Sequence, residues 1–256
     1  MSDWREPAVD CVQSIADTKL LLSHRYAQWM LSGPALEDDI AGASAAQDEL
    51  GHVRQLFKLL GEQGREDDWL EGDRGPGEYA NASPLDEKPS DWTAFVAAVG
   101  PVERAAWYLI DAIDHDDFSG LGTRIGQDEF FHLEFLDGRL QTLASEDPET
   151  VSQALETALP GVLAFLGPAD YDREDDPLVS AGFTDRSVTA LRNSVRDKYE
   201  ELLGETPVAL TDLDVDWEAP PSDAWDETRR RVGGGSISED DATALSGVRS
   251  REFALE

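Results

Sequence analysis

Gln47-Asp48-Glu49-Leu50-Gly51-His52 and Gln127-Asp128-Glu129-Phe130-Phe131-His132 decide the reading of this chain. Both read Gln-Asp-Glu-x-x-His. On a helix, residues i and i+3 share a face, so each Glu and His can present side chains to one point. The chain has only four histidines, and two of them stand in this setting. Each copy also sits on an apolar stripe. Glu129, His132, Leu133, Leu136, Leu140 and Leu143 share one side of their helix, while Glu49 and His52 border Ile40, Leu50, Val53, Phe57 and Leu60. A carboxylate on an apolar stripe is costly unless it is paired or bound to metal.

Working outward, helical periodicity dominates and strand alternation is scarce. Helices are expected over about Ala8–Leu31, Ala35–Gln63, Asp91–Asp114, Leu121–Ala144, Pro148–Gly167 and Thr184–Leu203. Ser32-Gly33-Pro34 separates the first two, and the His115–Gly120 stretch turns the chain between the third and fourth. Residues 64–90 read as a long surface loop. The expected fold is all-α: a four-helix bundle of two long hairpins with additional helices. The bundle should occupy residues 1–205. Residues 206–256 should form an arm that docks on the bundle or on a partner and closes with a short helix near Glu239–Phe253.

A four-helix di-metal site takes a carboxylate from each of the two remaining helices. Residues facing each other across a helical hairpin lie about equally far from its turn. Glu103 lies on the stripe of Phe95, Val99, Ala106, Trp107 and Ile110, and the midpoint of 103 and 129 is 116, inside the turn. Asp17 and Glu49 have their midpoint at Gly33, and Asp17 shares a face with His24. The expected cage is therefore Asp17, Glu49, His52, Glu103, Glu129 and His132. Carboxylate and imidazole donors in an all-helical setting suit iron or manganese better than a thiolate-loving metal. Lys19, however, lies on a clearer apolar stripe with Val12, Ile15, Leu22 and Tyr26. If Lys19 faces the centre, its ammonium replaces a metal, and the site is a buried salt-bridge network.

Composition narrows the function. The 256 residues carry 54 acidic and 21 basic side chains, a net charge of −33. Nucleic acid and anionic membranes are excluded as main partners, since both need a basic face. Dispersed acid with only Lys19, Lys58, Lys88 and Lys198 as lysines reads as adaptation to high salt. No basic-then-apolar leader opens the sequence, no run approaches a membrane span, and the single Cys11 forms no disulfide framework. A cytoplasmic protein is expected. Several residues have two readings. Arg54 could pair with a nearby carboxylate in an ordinary helix salt bridge, and His115 suits a solvated turn better than a cation site. Trp92, Trp107, Phe130 and Phe131 could line a pocket or pack in the core. Arg229-Arg230-Arg231 could meet an anion, such as a CoA phosphate, or form a solvated tail face.

At these residues the chain resembles the PaaA and PaaC helical subunits of the phenylacetyl-CoA epoxidase, within the ferritin-like superfamily. The stretches Leu20–Arg25 and Ser32–Ala41 are similar to the opening of the PaaC subunit, as are the overall length and the tail around Ala224-Trp225. The resemblance implies a subunit of a multicomponent phenylacetyl-CoA ring oxygenase. Its implied partners are a PaaA-like catalytic subunit carrying the di-iron centre and other oxygenase subunits including a reductase, with an acyl-CoA as substrate. PaaC subunits usually have a degraded metal site. Here the chain departs from their pattern: Asp48-Glu49-Leu50-Gly51-His52-Val53-Arg54 stands where they typically have Asp-Leu-x-Gly-Gln-Ala-Arg. A purely structural partner and a stand-alone ferritin- or rubrerythrin-like iron-oxidising protein are the competing readings.

Overall fold

The computed structural model describes residues 4–246, and these are all-helical. Helix α1 (Glu6–Trp29) and α2 (Leu36–Glu62) form the first hairpin, followed by a short α3 (Asp67–Leu70). Helices α4 (Trp92–Asp111) and α5 (Ser119–Glu146) form the second. Then come α6 (Pro148–Leu166), a one-turn α7 (Pro177–Ser180), α8 (Val188–Leu203) and α9 (Glu239–Leu245). The last helix was expected to run to Phe253, but residues beyond 246 lie outside the described region.

Local chemistry sets the ends. Asp91 caps α4 by accepting from the Ala94 amide at 2.9 Å, and Asp147 does the same for Thr150 at the start of α6. Both satisfy amides that a helix start leaves unpaired. Gly167 ends α6 at φ +126°, a conformation that side chains resist.

Helix α4 is the central element. Its interior is nearly all apolar, and it packs against α1, α5, α6 and α8. Helix α1 is also enclosed, by α2, α4, α7 and the 64–90 segment. Helices α2 and α5 complete the four-helix core and form its outer wall. Among the described residues, α2 packs chiefly against α1, α3 and α5.

The tail crosses the bundle through cations. Arg230 donates to the carbonyls of Phe165 and Leu166, and Arg231 donates to the Asn81 carbonyl and to Asp86 at 2.8 Å. Arg230 and Arg231 are buried, so the Arg229–Arg231 run is not a solvated face. Helix α9 is held by Asp241, which takes a two-point contact from Arg25 at 3.0 and 3.1 Å. No described helix is long and apolar enough to cross a membrane.

Candidate metal centre

Seven side chains from the four core helices meet in the bundle: Lys19 and Tyr26 of α1, Glu49 and His52 of α2, Glu103 of α4, and Glu129 and His132 of α5 form a buried knot of charge. Lys19 Nζ donates to Glu49 Oε1 at 2.8 Å and to Glu129 Oε1. Glu103 Oε1 lies 2.7 Å from His132 Nδ1, and its other oxygen accepts from the Tyr26 hydroxyl. His52 Nδ1 points inward, 3.8 Å from Glu49 and 3.9 Å from Glu129.

The aspartates of the repeated motif explain the matched sequence. Asp48 reaches His132 Nε2 at 3.3 Å, and Asp128 reaches His52 Nε2 at 3.1 Å. Each motif therefore orients the histidine of the other helix, leaving both Nδ1 atoms facing the centre. A carboxylate behind a histidine is the arrangement that fixes the imidazole of a metal ligand. Sequence reasoning passed over Asp48 and Asp128, and the shared Gln-Asp prefix was the signal that could have found them.

Asp17 is not part of this cluster. It is fully buried on the other side of α1, where Arg74 Nη1 donates at 2.9 Å and the Ala80 amide at 2.9 Å. The guanidinium of Arg74 also lies 3.9 Å over the Tyr79 ring. Asp17 thus anchors the 64–90 segment. Two residues on a helix subtend about 200°, so Asp17 and Lys19 cannot share a face. His24 is also elsewhere, 2.8 Å from Asp241.

Other expectations divide. Ile40 and Leu50 are exposed, not on the inner stripe, and so are Phe130 and Phe131. Trp107 lies partly buried against the core, and Cys11 is buried in α1. His115 caps its turn by accepting from the Asp117 amide at 3.3 Å.

The electrostatics follow from three carboxyl groups around two cations. Burial opposes a charge on Lys19, but Glu129, Glu49 and Glu103 outweigh it and hold the ammonium protonated, above its ordinary value. Burial also works against His132, yet the hydrogen bonds to Glu103 and Glu49 push it up to about 11. Burial would raise Glu49, but Lys19 and the two histidines hold it well below the usual carboxylate range. Burial and the charges of Glu49 and Glu103 raise Glu129 well above that range, against the pull of Lys19. One proton on Glu129 thus removes the surplus negative charge.

The donor set can be tested against a metal. Ligand atoms of Glu49, Glu103, Glu129 and His132 lie within 4.8 Å of one another, so these four could hold an ion. Glu49 Oε2, Glu129 Oε2 and His52 Nδ1 have no protein hydrogen-bond partner among the described residues. Against a metal pair stands Lys19. The core supplies three carboxylates, where a four-helix dinuclear cage uses four. A fixed positive charge occupies the centre and already engages two of them. The framework of a dinuclear site is present, and the residues do not fit two metal ions.

An all-α bundle with paired Glu-x-x-His helices facing one another is of the ferritin-like class. The family of phenylacetic acid catabolic proteins, which groups PaaA and PaaC, matches residues 1–239, and the chain belongs to that family. No curated protein matches the chain.

Proposed function

We propose that the chain is a subunit of a multicomponent phenylacetyl-CoA ring oxygenase and serves there as the structural partner of a PaaA-like, iron-bearing subunit. The observation that carries this reading is Lys19 Nζ between Glu49 and Glu129. The ammonium engages the two carboxyl groups that a metal would need, and Tyr26 and His132 satisfy both oxygens of Glu103. The chain's own residues therefore hold a closed, proton-balanced network. Oxygen activation, acyl-CoA oxidation and the supply of electrons by a reductase fall to the other subunits.

Metal analysis after expression in iron-rich medium tests this. The expected wild-type result is less than stoichiometric iron. Stoichiometric iron that disappears in Glu49→Ala plus Glu129→Ala would overturn it. Lys19→Glu supplies a fourth carboxylate and is expected to gain affinity for ferrous or manganous ions.

A second reading is favoured by the three unpartnered atoms Glu49 Oε2, Glu129 Oε2 and His52 Nδ1. In it, Glu49, Glu103, Glu129 and His132 hold iron once Lys19 is displaced, and the ion supplies oxygen-activating redox chemistry. The same iron measurement separates the two. The acidic surface is read as salt adaptation, and a melting temperature that rises with added salt is the expected outcome.

A further inference from the structure

Three acids open α9, and they are placed differently. Glu239 and Asp240 are exposed, whereas Asp241 is buried against α1. Its carboxylate meets donors from a single turn of that helix. Arg25 gives the two-point contact, His24 Nε2 lies 2.8 Å away, and Gln28 Nε2 donates at 3.2 Å. Gln28 is itself oriented, because its Oε1 accepts from Arg25 Nη1 at 2.8 Å. Residues 24, 25 and 28 lie on one side of a helix, so α1 alone brings these donors together.

The two halves of this contact are built unequally. The Arg25 guanidinium is fully buried and fixed from behind. Its Nε and Nη2 donate to the Leu85 carbonyl at 3.1 and 2.6 Å, and Nη2 reaches the Asp86 carbonyl at 3.1 Å. Asp86 is held in turn by Arg231 and by Asn81 Nδ2 at 2.9 Å. None of these contacts comes from α9, so the donors keep their places whether or not Asp241 is among them.

Helix α9 has little hold of its own. It has seven residues, well below the length at which a helix is stable alone. Ile237 just before it and Ala242 are the buried apolar side chains of this stretch, with Leu245 half-buried. No described helix packs broadly against it. Opening α9 therefore gives up few apolar contacts, and it leaves a buried guanidinium short of an anion. The freed donors are two parallel N–H groups of the Arg25 fork, flanked by an imidazole and an amide. That pattern accepts a planar carboxylate, whose two oxygens match the fork.

We propose that His24, Arg25 and Gln28 form a carboxylate-binding site, that Asp241 fills it in the resting chain, and that α9 is a strap which a carboxylate from another molecule displaces. The strap holds at low ligand because a tethered carboxylate has a high effective concentration. A free carboxylate in excess takes the site and releases residues 238–246. Site and strap share no side chain with the Lys19 cluster, so the exchange is independent of metal in the core.

The test uses the full-length chain with acetate as the probe and chloride at equal ionic strength as the reference. Asp241→Ala empties the site. Its melting temperature is expected to rise saturably with acetate, beyond any rise with chloride, and Asp241→Ala plus Arg25→Gln should lose that rise. In the wild type the same ligand should act on the strap. At about ten times the half-effect concentration found with Asp241→Ala, the amides of 238–246 should exchange hydrogen about tenfold faster than in chloride, because bound acetate stabilises the open form. The amides of α4 should not respond. Absence of acetate-specific stabilisation in Asp241→Ala overturns the site. Acetate binding to that variant without faster exchange at 238–246 in the wild type overturns the strap. Phosphate that acts where acetate does not overturns the carboxylate assignment. Should Asp241→Ala fail to fold, the wild type decides alone: exchange at 238–246 that acetate never accelerates over chloride overturns the proposal.

Discussion

Helix α1 carries two buried cations six residues apart, and they are neutralised in opposite ways. Lys19 sits among Glu49, Glu103 and Glu129, a surplus of acid that is closed by His132 and a retained proton. Arg25 faces a single carboxylate, Asp241, and spends its remaining donors on the carbonyls of Leu85 and Asp86 and on Gln28 at 2.8 Å. The difference follows the side chains. A compact ammonium suits a converging set of carboxylate oxygens, whereas a planar fork suits a pair of parallel oxygens plus backbone. The first arrangement joins four helices of the core. The second straps the tail to it.

The largest effect that could break this comparison is at the core. Lys19→Ala leaves the acidic cluster without its ammonium and is expected to destabilise by about 3–5 kcal/mol. Calorimetric melting checks this, and a loss near zero would mean that protonation alone can neutralise the cluster. Arg25→Ala is expected to cost less, about 2–3 kcal/mol, because Asp241 lies nearer to water. Limited proteolysis should then cut the 225–246 segment faster, while the core helices stay protected.

A smaller effect sharpens the charge assignment within the core. Glu129→Gln preserves a neutral side chain where the carboxyl already holds a proton, so it is expected to change stability by less than about 1 kcal/mol. Glu49→Gln removes the charge that Lys19 depends on and should cost about 2 kcal/mol or more. Equal losses in denaturant titrations of the two variants would contradict the assignment of the proton to Glu129.

The two regions should also weaken at opposite ends of the pH scale. His132 is raised to about 11, so its contribution is complete below the ordinary histidine range and fades as pH climbs through about 11. Burial opposes the charge of Asp241, but Arg25 and His24 bring it down to about 2. Its contribution is complete above the ordinary aspartate range and fades as pH falls toward about 2. His132→Gln should flatten the alkaline side of a stability profile, and Arg25→Ala the acid side.

Most of the bundle was legible. The strong periodicity of α2 and α5 placed both Glu-x-x-His pairs, and the hairpin midpoint at 116 placed Glu103 beside His132. The inner stripe of α2 was drawn too wide, since Ile40 and Leu50 face solvent. The one-turn α7 and α3 were missed because a single turn carries too little period to read. Aromatic side chains such as Phe130 and Phe131 give the same hydropathy signal on an exposed face as in a core.

By itself the sequence determined an all-α bundle, its two hairpins and five members of the central cluster, because α2 and α5 each have a wet side and a dry side and the hairpin midpoint adds Glu103. Tertiary structure alone decided the rotation of α1. That helix is covered on nearly every side, so the clearer apolar stripe around Lys19 pointed to the centre without excluding Asp17. A midpoint in the 33–34 turn fits both Asp17 and Lys19 against Glu49. Only the placement of Arg74 and the 64–90 segment, which claims Asp17, leaves Lys19 to face the carboxylates.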